Sequence, residues 1–277
     1  MKLNKLAIVY NPENGIKRDR KILAIAAHQD DIEIFGYSGI RAANEEDTYS
    51  FVGVVTSDGR NSPRIGEYAN YDAQMMIDTR IVEQKGAADI GKYEAQILLN
   101  YTSEQCQTNT NEDIIADYIE IIREYKPEII LTHNLADKHK THCGVVCNLI
   151  KAIRRLPVEE RPKYLLGCEV WRDLDWMSDD EKIVMNCGEN EQLQLDLLNV
   201  FRSQVVGGKR YDLATVGRRY SNATFSASHG VDSFKMTNYA MDLTPLIVDD
   251  NLSIGDFVQS KIDDFKKEVN DLLKDLI

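Results

Sequence analysis

From Lys21 onward the chain alternates short apolar runs with amphipathic stretches, and the runs end on polar clusters. "KILAIAA", "YSFVGVVTSDG", "AQILLNY" and "EIILTHN" read as buried strands, being short, apolar and bounded by polar or turn residues. Between them, residues 69–90 read as a helix closed by Gly91. "NEDIIADYIEIIREYK" carries Ile114, Ile115, Tyr118, Ile121, Ile122 and Tyr125 at helical spacing, and Pro127 ends it. "THCGVVCNLIKAIRRL" reads as a further helix with Thr141 as its N-cap. Strand–helix alternation of this kind requires parallel strands joined by crossover helices. The expectation is an α/β chain with an open, doubly wound sheet whose ligands bind at the carboxyl ends of the strands.

After Pro157 the pattern loosens. "KYLLGCEVW" and "EKIVMNC" read as strands, "ENEQLQLDLLNVFRSQVV" and "YDLATVGRRY" as helices, and "FKMTNYAMDLTPL" as extended. Residues 260–277 read as a helix with Ile262, Phe265, Val269, Leu272 and Leu273 on one face. No linker rich in Pro, Gly or Ser interrupts the chain. Residues 1–20, with "NPENG" as a turn, read as an N-terminal extension. Residues 21–277 read as one α/β domain, Rossmann-like and three-layered, with a C-terminal elaboration from about residue 160.

The net charge of −12 over 277 residues argues against nucleic-acid or anionic-membrane binding, both of which need a basic face. No apolar run approaches a membrane span, and "LAIVY" is too short for a signal-peptide core. The five cysteines are scattered, without a CxxC pair, and read as reduced thiols in a cytoplasmic protein.

Three polar clusters fall at strand ends: "HQDD", "TSDGRNS" and "THNLADKHKTH". The fold would bring them to one rim. Of five histidines, His133, His139 and His142 lie within ten residues. His139 and His142 are three apart at a helix start, where side chains converge. With His28 and Asp31 they form a set of N and O donors suited to Zn²⁺ or a similar divalent ion. Two histidines and one aspartate meet the requirement of a catalytic zinc for three protein ligands. Asp30 and the remaining histidine are then free to move protons. Either cluster alone would read as a polar loop; their joint placement is what points to a site.

"AHQDD" resembles the AHPDD motif of the LmbE/PIG-L-like metal-dependent de-N-acetylases, and "DKHKTH" resembles their DxHxDH motif. "TSDG", "RIVEQKGAADIG" and "RSQ" follow in the family's order, so the resemblance spans about residues 21–225. The resemblance implies zinc, or Fe²⁺, Ni²⁺ or Co²⁺ in its place, held by His28, Asp31 and His142. It implies Asp30 as general base and His139 as the group that polarises the amide carbonyl or stabilises the tetrahedral intermediate. It implies Arg80 on sugar hydroxyls, although an ion pair with Glu83 explains that arginine equally well. Asp137 would orient a histidine, and Arg60 would line the substrate rim. Gln29 stands where the family has Pro, and Thr141 where it has Asp.

The activity so implied is hydrolysis of an N-acetyl group from an N-acetylglucosamine-type sugar or glycoside. The partner is a small molecule, and a homo-oligomer is left open. Two alternatives remain. One is a de-N-acylase of a thiol-cofactor or antibiotic precursor, and the other a non-catalytic metal- or sugar-binding protein. A phospho-receiver module would need an aspartate and a lysine where this chain has histidines.

Overall fold

The computed structural model describes residues 1–274 and 276–277. The elements, in chain order, begin with β1 (Ile8–Tyr10), β2 (Arg20–Ala26), α1 (Asp31–Phe35), α2 (Tyr37–Glu45) and β3 (Tyr49–Ser57). There follow α3 (Ala73–Ile90), β4 (Ala95–Tyr101), α4 (Ser103–Cys106), α5 (Glu112–Tyr125), β5 (Ile129–His133) and α6 (Lys140–Arg154). The C-terminal part adds β6 (Tyr164–Cys168), β7 (Lys182–Asn186), α7 (Glu191–Asn199), α8 (Arg202–Val205) and α9 (Tyr211–Phe225). It closes with β8 (Thr237–Asp242), α10 (Pro245–Val248) and α11 (Ile254–Leu273).

The eight strands form one sheet in the order β1-β4-β3-β2-β5-β6-β8-β7. Strands β2 to β6 run parallel, as the alternation required. β1 joins β4 antiparallel, and β8 runs antiparallel to both β6 and β7. The N-terminal extension thus contributes an edge strand. Alternate residues of β2 face opposite layers, as the period of two demands. Leu23 and Ile25 pack with the side that holds α5 and α6. Ile22 and Ala24 pack with the side that holds α1, α2 and α7.

The order has one consequence for function. From β2 the chain steps outward to β3 and β4, then returns to β5 on the other side of β2. The strand order therefore reverses between β2 and β5, where loops part and leave a crevice at the carboxyl ends. "HQDD" follows β2, and "DKHKTH" follows β5.

Several elements depart from the sequence expectation. α1 carries no readable amphipathic stripe, because all five of its residues are buried. The helix expected across residues 189–206 breaks at Phe201, which is fully buried beneath the Arg80 guanidinium, into α7 and α8. Thr141 is not the N-cap of α6. That place falls to His139, whose side chain does not cap. Thr141 is the second residue of the helix and accepts a hydrogen bond from Gln107 Nε2 at 2.9 Å. α11 starts earlier than expected, at Ile254, capped by Ser253. No helix among the described residues is long and apolar enough to cross a membrane.

α1 is too short to pair its last carbonyls within itself. Arg219, fully buried, donates through Nη2 to Glu33 O at 2.8 Å and Ile34 O at 2.9 Å. Asn238 Nδ2 donates to Ile34 O and Phe35 O. Residues nearly two hundred positions away therefore fix the helix that begins with Asp31. Replacing Arg219 by Met removes the donor to Glu33 O and one of the two donors to Ile34 O, empties a buried cationic site, and should cost about 3 kcal/mol or more of stability. Denaturant unfolding checks this, and a loss under about 1 kcal/mol would contradict it.

Candidate active site

The crevice between β2 and β5 gathers four of the five histidines. His28 Nδ1 and His142 Nε2 are 3.2 Å apart. Asp31 Oδ2 is 3.3 Å from the first and 3.4 Å from the second. A tetrahedral ion with ligand bonds of about 2.0–2.1 Å separates its donor atoms by about 3.3–3.4 Å. The triangle has those edges and mixes two imidazoles with one carboxylate, so the residues present fit a zinc-like ion. Burial holds both imidazoles below their ordinary pKa, leaving them neutral as ligation requires.

His142 is held by its other nitrogen. Asp137 Oδ2 lies 3.2 Å from His142 Nδ1 and accepts from Trp171 N at 3.3 Å, while Oδ1 accepts from His139 N at 3.1 Å. Burial pushes the Asp137 carboxyl up, but these donors outweigh it and hold the group below its usual range. One carboxylate thus sets the His142 tautomer, the start of α6 and the loop that presents Trp171.

The adjacent aspartates have divided partners. Asp31 also accepts from His28 N at 2.7 Å. Asp30 takes a left-handed backbone, φ 81° and ψ −31°, which turns its carboxylate to Arg80 Nη2 at 3.0 Å. That conformation costs about 1 kcal/mol or more in a residue other than glycine. Burial pushes the Asp30 carboxyl up from its usual range, and Arg80 opposes the shift.

His133 belongs to the histidine cluster of the sequence but received no role there. It ends β5, is fully buried, and stacks on His142 with ring centroids 3.8 Å apart. Its Nε2 accepts from Ala27 N at 2.9 Å, so that lone pair is engaged and the ring serves as a shelf under His142. Its position, last in a strand next to the reversal of strand order, was the available signal.

His139 lies at the cleft, 4.6 Å ring to ring from His142 and 4.9 Å from His28. Its Nδ1 is buried without a partner among the described residues. The open cleft, about 370 Å³, is bounded by His28, Asp30, Asp31 and His139 on one side. Asn61, Gln107, Trp171, Lys209 and Tyr211 bound the other. Trp171, Lys209 and Tyr211 come from the loosely patterned C-terminal half. Trp176, by contrast, packs against Phe265 of α11.

The two arginines expected to contact substrate both have carboxylate partners within the protein. Arg80 is 1% exposed and spends its guanidinium on Gln29 O, Asp30, Glu83 and Ser203. It stands behind Asp30 and does not line the cleft. Arg60 pairs with Asp58 of its own loop, which Gly59 and Asn61 carry to the rim. Gln29, the departure from the family's Pro, is fully buried and donates to Ser57 O at 3.1 Å, tying the first polar cluster to the second. Gly59 permits this with φ +73°, since a Cβ there would meet Gln29 Oε1 at 2.4 Å. His229 lies exposed in the loop after α9 and is not among the residues that line the cleft.

Residues 23–153 match the family model described as PIG-L: GlcNAc-PI de-N-acetylase. Among solved structures, the N,N'-diacetylchitobiose deacetylase from Pyrococcus horikoshii is similar at TM-score 0.66 and 14% identity, over 90% of this chain and 92% of that one. GalB, the 4-carboxy-2-hydroxymuconate hydratase from Pseudomonas putida KT2440, is similar at TM-score 0.61 and 15% identity, over 81% and 96%. The zinc-inhibited form of teicoplanin deacetylase Orf2 is similar at TM-score 0.56 and 13% identity, over 80% and 97%. No curated protein matches the sequence. The resemblance to LmbE/PIG-L-like de-N-acetylases is borne out over residues 23–153. At these identities the structural likeness is one of fold. A hydratase shares that fold, so the fold alone does not fix the chemistry.

Proposed function

We propose that this chain, whose residues 23–153 match the PIG-L family, is a metal-dependent amide hydrolase. It would remove an N-acetyl group from an N-acetylglucosamine-type sugar or glycoside. The observation that carries the reading is the division of labour in "HQDD". Asp31 joins a three-donor triangle with His28 and His142, while Asp30, next in the chain, faces the same cleft outside that triangle. His28, Asp31 and His142 would hold the ion, with zinc the first choice for two imidazoles and a carboxylate. Bound there, it would supply Lewis acidity toward the acyl oxygen and the attacking water.

The protein's own steps follow. Asp30 takes the proton of the water, with Arg80 keeping its carboxylate aimed. The water oxygen joins the acyl carbon, and His139, which borders the cleft, stabilises the developing oxyanion. The C–N bond breaks, and Asp30 or His139 returns a proton to the departing nitrogen. The products are acetate and a free amino sugar. Trp171 offers a ring face at the cleft against which a sugar can stack. The sugar class rests on the family model and on deacetylases that share the fold. Free thiols fit a cytoplasmic setting.

Incubating metal-loaded protein with a panel of N-acetylated sugars, glycosides and thiol-cofactor precursors, read by mass spectrometry, tests the reading. Loss of one acetyl group supports it. Addition of water to an unsaturated acid, with every amide left intact, would replace it with a hydratase.

A further inference from the structure

Beside the open cleft lies a second, smaller pocket of about 140 Å³. It reaches the same carboxylates, Asp30 and Asp31, but continues away from the cleft. One wall is a face of α9, where Tyr211, Ala214, Thr215 and Arg218 recur at i, i+3, i+4 and i+7. Ile34, Val170 and Trp171 form the other. Trp171 and Tyr211 line both spaces, whereas Ala214, Thr215 and Arg218 line only the inner one. The inner pocket therefore starts at the reacting centre and ends at Arg218, seven residues or about 10 Å farther along α9. Long helical side chains lean toward the helix N-terminus, which brings the guanidinium back over the pocket.

Three facts bear on what fills this space. Its lining is mainly apolar near the carboxylates. Its volume is close to the roughly 150 Å³ of a cavity that holds benzene, far more than the single methyl of an acetyl group needs. At its end, Arg218 donates Nη1 to Val170 O and, among the described residues, makes no ion pair. An arginine fork without a carboxylate partner is suited to bind one.

We propose that this pocket receives the acyl group of the substrate and that Arg218 selects an acyl chain ending in a carboxylate, of four or five carbons. Such a chain spans about 4–5 Å between its two carboxyl carbons, at about 1.5 Å per C–C bond. The inference rests on the amide-hydrolase reading and narrows its substrate. Water adds across the C–N bond, and the products are a dicarboxylate and the free amine.

The test uses metal-loaded, full-length protein and glucosamine carrying N-acetyl, N-butanoyl or N-succinyl groups. Butanoyl isolates the pocket's size, and succinyl adds the charge. The expected kcat/KM for succinyl exceeds that for acetyl by about 10-fold or more. Arg218→Gln lowers the succinyl-to-butanoyl ratio by about 30-fold, and Arg218→Lys restores part of it. Cleavage of the acetyl compound with succinyl no better than butanoyl overturns the inference and leaves amide hydrolysis standing. So does a ratio that Arg218→Gln does not move. If no N-acyl glucosamine is cleaved, the hydrolase reading fails, and calorimetric binding of N-succinyl- and N-butanoylglucosamine decides the pocket. Equal affinities in the wild type, or a preference that survives Arg218→Gln, overturn it.

Discussion

Asp30→Asn lowers kcat by about 10²- to 10⁴-fold while leaving bound metal at one equivalent, the loss expected when a general base goes and the metal ligands stay. The geometry makes the two effects separable. Asp30 makes its side-chain contact with Arg80, whereas Asp31 closes the triangle with His28 and His142. Asn keeps the shape of Asp and its hydrogen-bonding reach but cannot take up a proton at neutral pH. KM should move little, because the substrate's remaining contacts are unchanged. Wild-type kcat in Asp30→Asn would remove Asp30 from the chemistry. Metal lost in step with activity would make it a ligand instead. Steady-state kinetics and elemental analysis on the same preparation distinguish these outcomes.

His142→Ala produces a loss at least as large by a different route. The substitution takes one of three donors from the triangle and leaves Asp137 with a buried carboxylate that has lost its imidazole partner. Two donors do not hold a catalytic zinc. Metal content should fall well below one equivalent, and activity should fall with it. Asp137→Asn is the graded version, since it keeps the ligands but loosens the orientation of His142. It should weaken metal binding by about 10- to 100-fold, so that activity returns as zinc is added. A His142→Ala protein that keeps a full equivalent of metal would contradict His142 as a ligand.

The parts of the fold readable from sequence are those whose burial is one-sided or complete over a short run. Lys21 to Ala27 and Ile114 to Tyr125 declare themselves because apolar spacing and a clear stop coincide. The two histidine-aspartate clusters were readable because the alternation places both at strand ends. The rest depends on contacts that leave no local mark. α1 is buried on every side, so it has no period to detect. β8 enters antiparallel between β6 and β7, which spacing alone does not announce. Arg219 reads as a solvated helix residue until the sheet brings it beneath α1. Arg80 admitted two readings, and its burial against Glu83 and Asp30 accounts for the ion-pair one. Trp171 reaches the site through a loop that Asp137 holds at Trp171 N and that buried Glu169, accepting from Leu174 N and Tyr239 N, fixes to the sheet.

The central claim is that the cleft hydrolyses an amide using Asp30 beside a metal held by His28, Asp31 and His142. The most direct measurement quantifies carboxylic acid and free amine released from an N-acyl glucosamine by protein carrying one equivalent of zinc. Acid and amine should appear in equal amounts, cease on removal of the metal, return on its restoration, and be nearly absent in Asp30→Asn. Stoichiometric zinc with no release from any N-acyl sugar or glycoside would contradict the account and leave a protein that binds metal without turning over an amide.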